Sequence, residues 1–339
     1  MTSEGQARRR ARRDWALAGG LAAGVALDAL IGDPRRGHPV AAFGRAAAGL
    51  EARMYADGRF RGSLYAGACV LGVTLPAVAA QRLTRGRPLL RAAAVAATVW
   101  AVTGARSLRH ESERAALALD TNNLSAAREV LQGLCSRDPA HLGATELARA
   151  VVESVAENTS DAAVAPLVWA AVAGLPGLAA YRAVNTLDAM VGYRSRRYER
   201  FGWAAARLDD VANWAPARLT AALAAACAPA VGGSPRAALR AVRRDGGHHP
   251  SPNAGRPEAA FAGALGLRLG GASSYQGRPE DRPELGDGRP PEPRDIRRAA
   301  RLSRAVTLAA VTLAAVVCLA PDQRARKRAN QRASQRAAR

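Results

Sequence analysis

The stretch at residues 153–169, ESVAENTSDAAVAPLVW, joins two kinds of sequence. Its first half holds Glu153, Glu157 and Asp161, which are spaced four residues apart and therefore share one face of a helix. Its second half is apolar and suits a lipid bilayer. Because ionisable groups near a membrane are costly, three like charges at the start of an apolar segment mark a candidate site.

Charged residues avoid six long runs of the chain. Each run has roughly 14–20 residues, against the roughly 20 that a helix needs to cross a bilayer. The runs are rich in Ala and Gly, which suits close helix packing in lipid, although a buried helix of an all-α soluble protein is the alternative. Their number predicts an all-α fold, a polytopic integral membrane helical bundle with polar helical loops. The runs are residues 15–31 (with Asp28 as the exception), 62–80, 92–105, 162–180, 219–233 and 305–320.

The two ends of the chain carry much of the net charge of +21. A strongly basic protein invites a nucleic-acid interpretation. The arginines at residues 8–13 and 324–339, however, flank apolar runs, where they act as topology signals and contact anionic lipid. We therefore expect a basic tail at residues 1–14, a membrane domain at 15–320, a second basic tail at 321–339, and no nucleic-acid partner.

Several common chemistries have no motif in this sequence. The four cysteines, Cys69, Cys135, Cys227 and Cys318, lie far apart, which favours packing roles over a disulfide scaffold or a zinc site. The chain has no GxxxxGK[ST] phosphate loop, no HExxH and no GxSxG.

Polar clusters stand at the edges of the apolar runs. We interpret residues 185–214 as a polar loop and residues 270–294, rich in Gly, Pro and acidic residues, as an irregular loop. Ordinary helix capping explains any single cluster residue as well as a site does. Together, the Asp and Asn oxygens and the arginines at 194, 196, 197 and 207 combine Mg²⁺ ligands with phosphate-binding groups. The clusters are residues 32–39, 153–161, 185–219, 249–266 and 284–288.

Long composite motifs in these clusters resemble the CobD/CbiB family of cobalamin biosynthesis, the adenosylcobinamide-phosphate synthases. The motifs are VESVAENTSDAAVAPLVW at 152–169, AVNTLDAMVGYRSRRYERFGWAAARLDDVANWAPARLTA at 183–221 and SPNAGRPEAAFAGALG at 251–266. The resemblance runs from about residue 27 to 296. The sequence departs from the family pattern at Ala162, where we expect Gly, and at Arg256, where we expect Trp.

The resemblance implies a multi-pass enzyme of the cell (inner) membrane with its active-site loops on the cytoplasmic side. Its reaction would join aminopropanol, generally as its phosphate, to a propionate carboxylate of adenosylcobyric acid. Because a carboxylate is a poor electrophile, this amide ligation would need ATP and Mg²⁺, with activation through an acyl phosphate. Other membrane-associated enzymes of cobalamin assembly are expected partners. A membrane sensor or transporter without catalysis, or a factor that only presents corrinoid, are the alternatives on this scaffold.

The resemblance also suggests roles for individual residues. A cation, either Mg²⁺ or the substrate ammonium, would offset the repulsion within the acidic face of 153–161. The expected catalytic residues are Glu153, Glu157, Asp161 and Asp188. The expected substrate- or phosphate-binding residues are Asp33, Arg35, His38, Asn158, Arg207, Asn213, Asn253 and Glu258. The expected Mg²⁺ ligands are Asn185, Asp188, Asp209 and Asp210.

Spacing refines the roles in the loop at 185–214. Asp209 and Asp210 are adjacent and diverge by about 100° on a helix, so we expect just one of them to face the site. Asn185 and Asp188 share a helical face and form a better ligand pair. Arg207 is the expected phosphate clamp, and replacing Arg196 or Arg197 is expected to cost little.

The expected topology requires one run that does not cross the membrane. A cytosolic nucleotide needs all polar clusters on one side, whereas six simple crossings would separate them. A re-entrant segment is allowed where protein covers its backbone. The run at 162–180 is the candidate, because it is interrupted by Pro166, Gly174, Pro176 and Gly177.

Overall fold

The computed structural model describes residues 3–33, 37–134, 139–193, 195–275 and 278–320. Helices dominate these ranges, and two short strands form one antiparallel hairpin. The helices are α1 Ser3–Ile31, α2 Pro39–Met54, α3 Arg59–Leu83, α4 Pro88–Val102, α5 Ala105–Asp120, α6 Leu124–Leu134, α7 Ala144–Thr159, α8 Ala165–Leu187, α9 Trp203–Cys227, α10 Pro235–Arg244, α11 Gly255–Leu265 and α12 Pro293–Leu319. The strands are β1 Leu269–Tyr275 and β2 Arg278–Leu285.

The apolar runs form helices of membrane-spanning character. Four helical stretches are long and apolar enough to cross a membrane: Arg59–Leu83, Pro88–Asp120, Ala144–Gly192 and Pro293–Leu319. A shorter apolar helix covers Trp15–Ile31. The predicted run at 219–233 lies in the second half of α9 and the turn Ala228–Val231. The predicted fold class, a polytopic all-α membrane bundle, is confirmed, with the β-hairpin as an addition to it.

Two prolines inside the helical stretches connect neighbouring helices. Proline has no N–H, so it leaves the carbonyl four residues earlier without its helical partner. Pro166 frees the carbonyl of Ala162, which accepts from the Gly104 amide at 3.2 Å. In α9, Pro216 frees the carbonyl of Ala212, which accepts from the Trp169 indole at 3.0 Å. The segment around Pro166 is thereby joined to the start of α5 and to α9.

The stretch Ala144–Gly192 folds back on itself and is therefore not one straight span. The reversal is at Gly174 inside α8, whose φ of 68° and ψ of −149° suit only glycine. A Cβ on Gly177 would stand 2.5 Å from the Trp169 carbonyl oxygen, so the arms before and after the reversal touch. The first arm, from Asp161 to Gly174, is about 20 Å long at 1.5 Å per residue, shorter than the roughly 30 Å hydrocarbon core. The run predicted to be re-entrant has the geometry of a helical hairpin.

Two interpretations of loops are wrong. Residues 185–214 are mostly helical, because α8 continues through the π-helical turn Asp188–Gly192 and α9 begins at Trp203. Residues 270–294 contain most of the β-hairpin, in which Gly271 pairs with Arg282. The alternation of strand residues was hidden there by Gly and Pro. Both corrections matter for the site, since each of these segments lines it.

Candidate active site

A cavity of about 750 Å³ opens where the fold-back of α8 meets the start of α9. One wall comes from the end of α7, the π-helical turn Ser160–Val164 and the turn Asp188–Gly192. The opposite wall comes from residues 249–257 and from β2. Eight of the sequence-predicted residues line it: Glu157, Asp161, Asp188, Arg207, Asp209, Asp210, Asn213 and Asn253.

The acidic wall is assembled by the fold-back. Asp161 is the first residue of the first arm, and Asn185 lies near the end of the second arm. The Asn185 amide nevertheless donates to Asp161 Oδ2 at 3.5 Å and to Asp209 Oδ1 at 3.4 Å. Asp188 lies beside the same group and lines the cavity. Carboxylates from two separate segments, Asp161 and Asp209, therefore converge on a single amide.

A second set of bonds fixes Asp209 from α9. The Asn213 amide donates to Asp209 Oδ2 at 3.0 Å, and the Asn213 Oδ1 lies 2.9 Å from the Tyr181 hydroxyl. That hydroxyl also lies 3.0 Å from the Asp161 carbonyl oxygen. Asn213 is 2 % exposed. Tyr181, which the sequence interpretation missed, thus ties α9 to both ends of the hairpin.

Asp209 and its neighbour Asp210 have different surroundings. Asp209 is held by amide groups, and burial raises the pKa of its carboxyl above the ordinary value, with the neighbouring charge of Asp210 acting in the same direction. Asp210 instead accepts from Arg207 Nη1 at 3.2 Å. The geometry places Asp209 in the carboxylate group and leaves Asp210 paired with the arginine.

The mouth of the cavity is cationic and aromatic. The guanidinium of Arg59, at the start of α3, lies 5.3 Å from the ring centroid of Trp203. Arg207, whose side chain is 61 % exposed, and Tyr193 complete this rim. The sequence interpretation missed Arg59 because it stands outside every cluster, although Trp203 and Tyr193 lay within one.

The segment at 195–202 is held in place by a buried carboxylate on α2. Glu51 accepts from Arg197 Nη2 at 3.0 Å and from the Tyr198 hydroxyl at 2.9 Å. The Arg197 guanidinium also stacks 4.1 Å from the ring centroid of Tyr55. Arg196 and Arg197 are both exposed, but the guanidinium of Arg197 is held by Glu51 and Tyr55.

The far wall carries a histidine that the sequence interpretation also missed, although it lies in a quoted cluster. His249 Nδ1 accepts from the Ser251 amide at 3.0 Å, and its Nε2 lies 3.8 Å from Glu258 Oε1. Burial, and then the charge of Arg282, lower the pKa of His249 to about 4, so its imidazole is neutral. Asn253 donates to the Asp210 carbonyl at 2.8 Å and joins this wall to α9. Glu258 lies behind His249 and not on the cavity surface.

Glu153 does not share the site of Glu157 and Asp161. It is 4 % exposed, and its Oε1 accepts from the Gly270 amide at 2.7 Å. Arg149 donates to the carbonyl of the same glycine, so this pair anchors β1 to α7. A helix advances 40° beyond a full turn every four residues, so Glu153 points in a different direction from Asp161, eight residues later. The expectation that all three acids share one site face is therefore wrong for Glu153.

Three other candidates lie away from the cavity surface. Asn158 donates to the Ser154 carbonyl at 2.9 Å within α7. His38 caps α2 through its Nδ1, which accepts from the Val40 amide at 3.2 Å, and its Nε2 lies 3.6 Å from Asp33 Oδ1. Arg182, which the sequence interpretation missed, is within electrostatic range of both Asp33 and Asp161. Arg35 lies outside the described residues.

Comparison with known proteins identifies the chain's relatives. The model of the CobD/Cbib protein family matches residues 21–303. The chain is 54% identical to cobalamin biosynthesis protein CobD of Mycobacterium tuberculosis (strain ATCC 25618 / H37Rv) over 299 residues, which covers 88% of this chain and 95% of the relative. It is 45% identical to the protein of that name in Geobacter metallireducens, with 86% and 94% covered. The chain belongs to the CobD/CbiB family. No solved structure matches it.

Membership of the CobD/CbiB family places the chain in cobalamin biosynthesis. The eight predicted residues on the cavity surface come from three of the motifs that carried the resemblance. Of the two departures from the family pattern, Ala162 lies in the π-helical turn beside Asp161. Arg256 lies in α11, two residues before Glu258.

The described residues contain no group of three or more His, Cys, Asp or Glu side chains that could by itself hold a metal ion. Mg²⁺ does not need such a cage. It keeps several waters and is commonly bound by one or two carboxylates together with substrate phosphates. Asp209 and Asp188 offer carboxylate oxygens on the cavity surface, and Arg207 lies close by for phosphates. The donor set therefore fits an ion that arrives with a nucleotide.

Proposed function

We propose that this CobD/CbiB protein is an adenosylcobinamide-phosphate synthase. It would join aminopropanol, generally as its phosphate, to a propionate carboxylate of adenosylcobyric acid in an ATP-dependent amide ligation. The observation that carries the proposal is the cavity itself, in which one wall gathers carboxylates and the rim gathers arginines. An amide ligase needs both, since its amine arrives as a cation and its activating group as a polyanion.

The acidic wall would receive the amine and Mg²⁺. Asp161 and Asp188 are the proposed acceptors of the ammonium proton, with Glu157 as the third carboxylate that attracts the cation. Like charges held together bind a proton more readily than an isolated acid, which makes such a carboxylate a better base at neutral pH. Asp209, with Asn185 and Asp188, would supply the Mg²⁺ ligands.

The rim would receive the phosphates of ATP. Arg207 is the proposed clamp, because a guanidinium binds phosphate oxygens through two parallel hydrogen bonds. Its partner Asp210 lies 3.2 Å away and would keep it aimed across the cavity in the absence of nucleotide. Asn213 and Asn253, on α9 and on the far wall, line the space between rim and acidic wall.

The proposed chemistry has two steps. A carboxylate oxygen of the corrinoid propionate attacks the γ-phosphorus of ATP, which releases ADP and leaves an acyl phosphate. The amine, after losing a proton to the acidic wall, attacks the carbonyl carbon, and phosphate leaves with the former carboxylate oxygen. A dry, oriented site favours attack by the amine over hydrolysis by water.

An isotope experiment tests this sequence. The purified protein in lipid nanodiscs is given adenosylcobyric acid with ¹⁸O in its propionate, aminopropanol phosphate, ATP and Mg²⁺. Mass spectrometry should detect the amide, one ADP for each amide, and one ¹⁸O in each phosphate released. An ¹⁸O found in AMP would replace the acyl phosphate by an acyl adenylate. The matched variant Asp161→Asn should form little product.

The two alternatives make different predictions in the same assay. A sensor or transporter without catalysis would form no amide. Corrinoid would still bind to the protein in nanodiscs, or would cross the membrane of a vesicle that contains the protein. A presenting factor would form no amide alone but would speed another enzyme of cobalamin assembly when that enzyme is added. Amide formed by the isolated protein excludes both.

A further inference from the structure

The tip of the fold-back in α8 is contacted by a polar side chain from another helix. Gln81 lies on α3, within a stretch apolar enough to cross a membrane. Its Oε1 accepts from the Leu175 amide at 3.0 Å, directly after the reversal at Gly174. No part of the cavity surface involves Gln81, so the proposed chemistry does not explain this contact.

The bond meets a need created by the reversal. The first residues of a new helical arm have N–H groups without an acceptor, and lipid offers none. Pro176 removes one such group because it has no N–H. The Leu175 group is the one satisfied by Gln81, whose position on α3 fixes the depth at which the second arm starts.

The start of the second arm decides where its far end lies. The arm is a rigid helix of about 15 Å between Leu175 and Asn185, since each residue adds 1.5 Å. A slip of one residue at the tip would rotate Asn185 by about 100° and move it by about 1.5 Å. Such a shift would break the 3.5 Å contact between Asn185 and Asp161. The alignment of the two arms therefore also determines which residues face each other in the acidic wall.

We propose that Gln81 is a positioning residue for the active site. It sets the register of the second arm through the Leu175 amide and thereby holds Asn185 and Asp188 opposite Asp161. Its effect on turnover rests on the proposed function, whereas its effect on the hairpin does not.

Hydrogen–deuterium exchange on the full chain in nanodiscs tests the hairpin directly. In Gln81→Leu, the peptide that covers residues 171–180 should exchange at least about tenfold faster, because the Leu175 amide loses its acceptor. Gln81→Glu keeps an acceptor oxygen at the same reach and should restore slow exchange. Arg82→Gln, at the exposed neighbouring position, is the matched control and should exchange as the wild type does. The peptide at 204–214 of α9 should not change in any variant.

Kinetics then test the effect on the site. Because Asn185 and Asp188 belong to the second arm and are proposed Mg²⁺ ligands, Gln81→Leu should lower kcat about tenfold, or 1.4 kcal/mol, and raise the Mg²⁺ concentration that gives half-maximal turnover. Gln81→Glu should recover kcat. If Gln81→Leu fails to fold, Gln81→Asn removes the same bond by shortening the side chain and takes its place.

The outcomes separate the two proposals. Unchanged exchange at 171–180 in Gln81→Leu, or failure of Gln81→Glu to rescue it, overturns the role of Gln81. Faster exchange with an unchanged kcat overturns its link to the site. A wild-type protein that forms no amide contradicts the proposed function, while the exchange data still decide the role of Gln81 in the hairpin.

Discussion

Two aspartates, the buried Asp245 and the half-buried Asp209, have opposite surroundings. Asp245, at the end of α10, accepts from Arg244 Nε at 2.7 Å and from the Gly286 amide at 2.7 Å. The hydrogen bond from Arg244 lowers the pKa of its carboxyl. Within the described ranges, the side-chain donors to Asp209 in the cavity wall are the amides of Asn185 and Asn213, and burial raises the pKa of its carboxyl.

The difference distinguishes an acid that stabilises the fold from one that is available for function. Asp245 joins α10 to the end of β2, and its charge is neutralised within the protein. Asp209 keeps lone pairs facing a cavity, beside other carboxylates, at a cost to the folded state. Carboxylates whose charge is not neutralised by a partner, and whose pKa is therefore shifted, are common in catalytic sites. Asp245 and Asp209 should therefore respond differently to the same substitution.

The largest expected effect is the one that separates these two aspartates. Asp209→Asn should lower turnover by about 100-fold, or 2.7 kcal/mol, because an Mg²⁺ ligand is lost, and Asp188→Asn should act in the same way. Asp245→Asn should instead cost about 1–3 kcal/mol of stability and leave kcat of the folded fraction unchanged. Turnover and thermal inactivation of the variants measure both. Asp210→Asn weakens the pair with Arg207 and should lower turnover less than Asp209→Asn does.

Stability sharpens this contrast further. A carboxyl whose folded-state pKa is raised loses stability as pH rises from its ordinary value through the raised one. Asp209→Asn removes that loss and should raise the temperature of inactivation at pH 7–8. A lower temperature of inactivation would mean that Asp209 stabilises the fold, as Asp245 does.

The next largest effect on turnover distinguishes the acidic residues of the stretch at 153–169 from one another. Glu157→Gln and Asp161→Asn should each lower turnover by at least about tenfold, or 1.4 kcal/mol, since both line the cavity. Glu153→Gln should reduce thermal stability through its bond to Gly270 and change kcat little. Full activity of both cavity variants at limiting Mg²⁺ would reduce the acidic wall to a structural role.

A smaller effect is expected at the arginines. Arg207→Lys should lower turnover several-fold and raise the KM for ATP, because the charge stays but the bidentate fork is lost. Arg196→Gln should change neither quantity. Arg197→Gln loses the pair with Glu51 and should lower thermal stability more than Arg196→Gln does. An Arg207→Lys enzyme with an unchanged KM for ATP would remove Arg207 from phosphate binding.

The smallest effect concerns pH. His249 has a pKa lowered to about 4 in the folded protein from an ordinary 6.5, so the unfolded chain binds its proton more tightly. Its contribution to stability is complete above about pH 6.5 and falls as the pH drops toward 4. Thermal inactivation between pH 8 and pH 4 should show a shallower acid loss for His249→Gln than for the wild type.

The helical membrane fold and many residues of the acidic wall could be predicted from the sequence, because both follow from local patterns. Apolar runs predict helices, and the prolines and glycines at 166–177 predicted an interruption that the structure has at Gly174. The convergence of Asp161, Asn185 and Asp209 was only implied by the family resemblance. This convergence depends on the chain reversal at Gly174, and the periodicity of apolar residues does not predict the direction of that reversal.

The remainder of the site could not be predicted for a physical reason. Arg59 and Arg282 reach the cavity through tertiary contacts of α3 and of the β-hairpin, and neither stands in a recognisable pattern. Glu153 was misplaced because a regular four-residue spacing takes no account of Gly270, its partner far along the chain. Tyr181 directly follows the apolar run at 162–180, outside every polar cluster.

The fold-back also bears on the order in which the site is made. The contacts of the acidic wall join residues 24 positions apart, as between Asp161 and Asn185 or Asn185 and Asp209. The anchor between Glu153 and Gly270 joins residues 117 positions apart. Local contacts cost less chain entropy and form first, and segments made earlier begin folding during synthesis. We therefore expect the acidic wall to assemble while residues beyond α9 are still being translated, and the far wall to enclose the cavity last.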